Sequence, residues 1–330
     1  MIGHDLCLVG DIGGTNARFA LVEYGSVELT QCETLKCAEY DNVDLACKAY
    51  FDLVGVDIES VNRACLAFAC PVQQEEIRLT NNHWKFTRSG LKASLGLESI
   101  KIVNDFTAMA LGMLNLNDDE VIQVGGNLET TQAEFSDAPR LVIGPGTGLG
   151  VSGLIKANDD WIPLASEGGH ISFAPIDELD IIIWRYLNSK YDRVSAERVL
   201  CGQGLVNIYE ALVEHTQSEL RYQKPSEVAE AAIANEDPRA VEALSRFCRI
   251  LGTVSGDNVL TLGARGGVYL CGGILPRMIP FFKDSEFREA FEDKGRFNDY
   301  LSLIPVWLCV AEQPGLVGAA AALFNEEVFG

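Results

Sequence analysis

The sequence predicts an α/β protein of two domains around a cleft. Three observations lead there. At 330 residues the chain is longer than one hydrophobic core usually serves. Apolar runs of β type alternate along it with stretches of helical spacing. A glycine turn between two such runs, Gly10-Asp11-Ile12-Gly13-Gly14-Thr15-Asn16, has a counterpart in the other half, Ile143-Gly144-Pro145-Gly146-Thr147-Gly148-Leu149-Gly150.

Residues 7–35 read as a three-stranded antiparallel meander, with Gly25-Ser26 at its second turn. Over residues 42–54, Val43, Ala46, Cys47, Tyr50, Phe51 and Val54 recur at helical spacing, and Asp41 stands where an N-cap belongs. A buried strand at 63–70, a polar return at 75–80, a helix over 89–95 and a strand at 99–103 complete the first half. The polar segment 116–137, with Asp118-Asp119 and Gly125-Gly126, reads as a connection. That places a small domain at 1–115 and a large one at 116–311. The second half opens on its glycine hairpin and turns helical at 177–190, 195–200, 204–215 and 226–262. A glycine-flanked strand follows, Gly266-Gly267-Val268-Tyr269-Leu270-Cys271-Gly272-Gly273. After Pro314 an apolar helix over 315–323 is placed to return to the small domain, so that 312–330 completes it.

The composition narrows the function. An apolar fraction of 48% with 22% charged residues is that of a packed globular protein. With 26 Lys and Arg against 47 Asp and Glu, the formal charge of −21 argues against nucleic acid and against anionic membrane surfaces. A polyphosphate would meet the same repulsion, so binding one requires Mg²⁺, backbone N–H groups and a few local cations. Ten cysteines are present, and Cys7, Cys65, Cys70, Cys271 and Cys309 lie in apolar strand-like runs, as reduced, hydrophobic thiols do. Cys-x-x-Cys pairs and spaced Cys/His clusters do not occur, so zinc is not expected. Met1-Ile2-Gly3-His4-Asp5 lacks a basic leader and no run reaches membrane-spanning length; a cytoplasmic location is expected.

Four places could carry chemistry. Glycine turns let backbone N–H groups approach phosphoryl oxygens, and Asp11 offers a hard oxygen to a hydrated magnesium ion. Either turn by itself also suits an ordinary hairpin, whereas two together suggest a phosphate clamp. Asn104-Asp105 ends a strand and opens a helix, at the sheet edge where α/β folds bind ligands, although an acid there also serves as an N-cap. Ser166-Glu167-Gly168-Gly169-His170 sets an acid and an imidazole one tight turn apart, suited to hydroxyl binding or to a structural histidine. Ser195-Ala196-Glu197-Arg198 fits a helix start with Glu197 in its first turn. Jointly, two phosphate turns, an amide and several acids describe phosphoryl transfer to a polyol, which needs a base for one hydroxyl and rigid acceptors for the others.

A strand, glycine turn, strand unit in both halves is the phosphate-binding plan of the actin, Hsp70 and sugar kinase superfamily. Within it, nearly the whole chain resembles the ATP-dependent glucokinases of proteobacteria. The resemblance rests on Gly10-Asp11-Ile12-Gly13-Gly14-Thr15-Asn16-Ala17-Arg18, Ala69-Cys70-Pro71 with Thr80-Asn81, Asn104-Asp105-Phe106-Thr107-Ala108 and Gly144-Pro145-Gly146-Thr147-Gly148-Leu149-Gly150. It continues through Glu167-Gly168-Gly169-His170, Ser195-Ala196-Glu197-Arg198-Val199-Leu200, Gly272-Gly273-Ile274 and Ala290-Phe291-Glu292-Asp293-Lys294-Gly295-Arg296-Phe297. It implies two ribonuclease-H-like (actin-like ATPase) domains, Mg-ATP as phosphoryl donor, D-glucose as acceptor at its 6-hydroxyl, and a homodimer. Carried over, Asp105 is the general base, and Asn104, Glu167, His170 and Glu197 hold the other hydroxyls. Gly10, Asp11, Gly13, Gly14, Thr15 and Asn16 form the first phosphate turn, with Asp11 meeting Mg²⁺ through water. Gly146 and Thr147 contact the β and γ phosphates, and Gly272-Gly273 lies under the adenosine. The chain departs from the family in having Thr80-Asn81-Asn82-His83-Trp84 where Thr-Asn-His usually precedes the Trp, and Ser166 where Gly is frequent.

Overall fold

The computed structural model describes residues 5–79, 82–126 and 135–328; Thr80-Asn81 and the first four residues lie outside that set. By its internal contacts the chain forms two compact units. One comprises Met1–Asn117, Leu154–Ala165 and Ala311–Gly330, the other Asp118–Gly153 and Ser166–Val310. Leu154–Ala165 thus groups with the N-terminal residues, although it follows the second glycine turn in sequence.

In the first unit, β1 (Leu6–Ile12), β2 (Asn16–Glu23), β3 (Thr30–Lys36), β4 (Val61–Phe68) and β7 (Ser99–Asn104) form a sheet in the order β3-β2-β1-β4-β7. Between them β5 (Glu76–Arg78) and β6 (Lys85–Thr87) make a separate two-stranded ribbon. The meander β1-β2-β3 is antiparallel, while β4 and β7 run parallel to β1. The register places Ile12 beside Phe68 and Phe68 beside Asn104, so the carboxyl ends of β1, β4 and β7 share one edge. The helix Val43–Val54 covers the sheet with the residues its spacing selects, Val43, Ala46, Cys47, Tyr50 and Phe51. Its cap is Asn42, whose side chain accepts from the Leu45 amide at 3.3 Å, and not Asp41. One residue of register decides this, because only the Ncap side chain reaches the third helical N–H.

Two helices of this unit cross almost backbone to backbone. A Cβ on Gly318, in the helix Pro314–Phe324, would lie 1.7 Å from the Ala108 carbonyl oxygen, and one on Gly112 would lie 2.2 Å from that of Pro314. Glycine at both positions lets the helix Asp105–Gly112 seat tightly, and that helix begins at the candidate base.

In the second unit, β8 (Val121–Gly125), β9 (Arg140–Pro145), the start of β10 (Leu149–Ala157), β12 (Val268–Leu270) and β13 (Val306–Cys309) lie in the order β10-β9-β12-β13-β8, with β11 (Asp160–Leu164) following β10 in the chain. The run β10-β9-β12-β13 repeats the wiring of β2-β1-β4-β7. The segment expected to be only a connection therefore contains a strand, β8, paired antiparallel with β13. Its Val121 and Ile122 are flanked by acids and glycines, which mask a short edge strand in sequence. The helical stretch expected at 226–262 is two helices, Pro225–Ile233 and Pro238–Leu262, each with proline in its first turn. Residues 195–200 hold only a 3₁₀ turn, Ala196–Arg198. The core packs Phe247, Phe287 and Phe291 among aliphatic side chains. Cys7, Cys65, Cys70, Cys271 and Cys309 are buried and stand outside any disulfide. Among the described residues no helix is long and apolar enough to cross a membrane.

Candidate active site

In the first unit the glycine turn closes β1 onto β2. The Gly13 amide donates to the Asn16 carbonyl at 3.0 Å, and the Cys37 amide holds the Thr15 carbonyl at 2.9 Å from outside the turn. Gly10 is required by crowding, because a Cβ there would lie 2.7 Å from a Leu66 methyl carbon. Pairing across the hairpin sets Asp11 opposite Arg18, whose Nη1 donates to Asp11 Oδ2 at 3.3 Å. Burial pushes the Asp11 carboxyl up, and the charge and hydrogen bond of Arg18 oppose that shift. Gly315, at the start of the helix Pro314–Phe324, also adjoins this carboxylate: a Cβ on it would lie 2.9 Å from Oδ2. Thr15 is exposed at the tip.

At the same sheet edge, Asn104 caps the helix Asp105–Gly112. Its Oδ1 accepts from the Phe106 amide at 2.9 Å and its Nδ2 donates to the Cys70 carbonyl at 3.3 Å. Asp105 is the first helical residue, and its Oδ1 also accepts from the Phe106 amide, at 2.9 Å. Burial and then the Asp105 charge push the Cys70 thiol up to about 11. The Ala69-Cys70-Pro71 motif thus passes beside the candidate base.

The second unit brings its own expected residues together. The turn after β9 is held by the Gly146 amide donating to the Gly148 carbonyl at 2.8 Å, with Thr147 exposed at the tip. Gly272, at φ +88°, packs under it, where a Cβ would stand 2.4 Å from the Pro145 carbonyl oxygen; Gly273 is open. Glu167 precedes and His170 ends a 3₁₀ turn, Gly168–His170, pressed onto β10: a Cβ on Gly169 would lie 2.0 Å from the Leu149 carbonyl oxygen. A short antiparallel contact then pairs the chain after His170 with the chain before Glu197, the Ala196 amide donating to the Ile171 carbonyl at 2.8 Å. As a result His170 stands between two carboxylates, Nδ1 3.8 Å from Glu197 Oε1 and Nε2 4.0 Å from Glu167 Oε2. Glu197 Oε2 accepts from the Leu149 amide at 2.9 Å. Such a rim of acids and one imidazole beside a glycine turn can accept several hydroxyl protons in a fixed geometry.

A family model described as Glucokinase matches residues 8–326. The chain belongs to the glucokinase family. It is 53% identical to a glucokinase of Hahella chejuensis over 97% of this chain and 98% of that protein. It is 50% identical to one of Chromohalobacter salexigens, with 97% and 98% covered. The crystal structure of a glucokinase from an Antarctic psychrotroph superposes with a TM-score of 0.84 at 32% identity, covering 97% of this chain and 98% of that one. The repeated strand order of the two sheets is that of the two-domain actin-like fold of glucokinases and related sugar kinases.

Three contacts of this glucokinase-family site are not singled out by sequence reasoning: the Arg18 partner of Asp11, the Leu149 amide on Glu197, and the Cys70 carbonyl on Asn104. Arg18 could have been found by counting register back from the first turn; backbone groups leave no trace in residue identity. Ser166 accepts from the Gly168 amide at 3.0 Å and so stabilises the turn it precedes. Among the described residues no cluster of three or more His, Cys, Asp or Glu could hold a metal ion, whereas Mg²⁺ characteristically takes one or two carboxylates together with substrate phosphates and water. Asp11 at the first turn is a lone carboxylate of that kind, paired in the structure with Arg18.

Proposed function

We propose that the chain transfers the γ-phosphoryl group of Mg-ATP to the 6-hydroxyl of D-glucose, giving glucose 6-phosphate and ADP, as a cytoplasmic homodimer. The observation that carries this reading is the assembly of Glu167, His170 and Glu197 on the second glycine turn, sugar acceptors and phosphate donors in one unit.

In this reading Glu167, His170, Glu197 and Asn104 accept and donate to the hydroxyls that do not react, and Asp105 takes the proton of the one that does. The glucose O6–P bond forms as the bond from the γ-phosphorus to the bridging oxygen of ADP breaks. Gly13, Gly14, Thr15 and Asn16 in the first turn, with Gly146 and Thr147 in the second, present N–H and hydroxyl groups to the phosphates, and Gly272-Gly273 lies under the adenosine. Asp11 would hold magnesium through water, and the ion would supply the positive charge that an acidic protein lacks. Positioning and charge neutralisation provide most of the catalysis, with Asp105 adding base assistance.

The test is formation of glucose 6-phosphate by purified protein, followed with ATP and Mg²⁺ across a panel of glucose, mannose, fructose and N-acetylglucosamine. Glucose is expected to give the highest kcat/KM, with no product when Mg²⁺ is chelated. A higher value for another hexose, or turnover that ignores the metal, overturns the assignment. Light scattering on a sizing column reads the dimer.

A further inference from the structure

We infer that Glu197 is a bridge coupling the sugar to the nucleotide phosphates, a positioning residue for the second glycine turn as well as a sugar acceptor. The inference rests on the sugar and phosphate roles proposed above.

Leu149 is the first residue after the Gly146-Thr147-Gly148 turn, and its amide is the donor that Glu197 Oε2 receives at 2.9 Å. The carboxylate reaches it only because position 148 has no side chain: a Cβ there would lie 2.5 Å from the same Oε2. The segment carrying Glu197 touches the turn a second time, the Gly202 amide donating to the Gly146 carbonyl at 2.9 Å. Both ends of the turn therefore hang on residues 197–202. That segment is itself rigid, since the buried Asn207 side chain donates to the Arg198 carbonyl at 2.9 Å and the Ala196 amide is held by the Ile171 carbonyl. The other carboxylate oxygen of Glu197 faces His170 Nδ1 at 3.8 Å, on the sugar side.

An ionised carboxylate has about four lone-pair sites, so Glu197 can accept a sugar hydroxyl without releasing the Leu149 amide. A bound sugar that fixes this carboxylate also fixes the turn whose N–H groups would receive phosphate. By linkage, a nucleotide that orders the turn must improve the sugar site by the same factor.

The experiment is calorimetric titration of glucose, with and without a non-hydrolysable ATP analogue and Mg²⁺. For the wild-type protein the analogue is expected to tighten glucose about tenfold, within the usual range of coupling between sites. In Glu197→Gln and in Gly148→Ala that gain should fall below about twofold, because a carboxamide has only one acceptor oxygen where the bridge uses two, and a displaced carboxylate no longer reaches the Leu149 amide. Gly148→Ala carries the sharper outcome: a substitution in the phosphate turn should weaken glucose at least several-fold with no nucleotide present. In the double variant the two losses should not add, as expected for residues sharing one contact. Should Gly148→Ala fail to fold, as judged by its melting curve, Glu197→Gln carries the same test. Full coupling retained in Glu197→Gln, or an unchanged glucose affinity in folded Gly148→Ala, overturns the bridge. Failure of the underlying site reading looks different: His170→Ala would then leave glucose affinity untouched.

Discussion

At the scale of single residues the junction Asn104-Asp105 shows a helix start shared by two side chains, both of which accept from the Phe106 amide. A helix start needs one side-chain acceptor for its unpaired amides, and Asn104 takes that place while also tying the Cys70 carbonyl. Asp105, one residue on, points its carboxylate from the first helical position, where the helix dipole favours the charged form whatever chemistry it does. Asp105→Ala should therefore keep the helix capped and the fold intact while kcat drops about 10²- to 10⁴-fold, the usual worth of a general base. Calorimetry should show glucose binding preserved; turnover within about threefold of wild type would remove Asp105 from the base role. From the sequence, both residues read as capable of capping. Which one caps depends on where the strand ends, and that is settled by the pairing of β7 with β4.

Among the elements, the helix Glu178–Lys190 shows how charge and capping combine. Asp177 caps it, accepting from the Asp180 amide at 3.0 Å, and pairs with Arg246 at 2.5 Å and Arg249 at 2.6 Å. Burial would push its carboxyl up, but the Arg246 hydrogen bond, the Asp180 amide and the two guanidinium charges outweigh it and hold it below 3.8. A carboxylate depressed in the folded state contributes stability above its unfolded pKa and loses it as pH falls through the lower, folded value. Asp177→Ala should thus lower Tm by about 2–4 °C near neutral pH, from loss of about 1 kcal/mol of capping. The gap to wild type should close as pH drops below 3.8; a gap that persists in acid would assign the loss to packing instead. The cap itself is legible in sequence, as is the proline that opens each of the two later helices. The arginines sit 69 and 72 positions away along the chain, beyond any local pattern.

For the whole molecule, charge sets the terms on which a nucleotide is admitted. At −21 the protein offers no long-range attraction to a polyphosphate, so the nucleotide site proposed above has to rest on short-range N–H groups and on cations brought with the nucleotide. Raising ionic strength from about 0.01 to 0.15 M shortens the screening length from about 30 to about 8 Å, which relieves repulsion. With Mg²⁺ saturating, the KM for Mg-ATP should stay level or fall over that range; a rise of more than about threefold would reveal a basic funnel instead. What the sequence determined by itself was whatever is written in local spacing: the α/β class, the two glycine turns, the acids beside them and most helices, because turn chemistry and amphipathic period act within a few residues. What only the tertiary structure decided was which distant groups meet. Glu197 reaches the Leu149 amide across 48 positions, the strand β8 exists only because β13 offers it an edge, and the two close helices demand glycine only once packed. Those outcomes follow from strand register and close packing, which bring together groups that no stretch of sequence holds side by side.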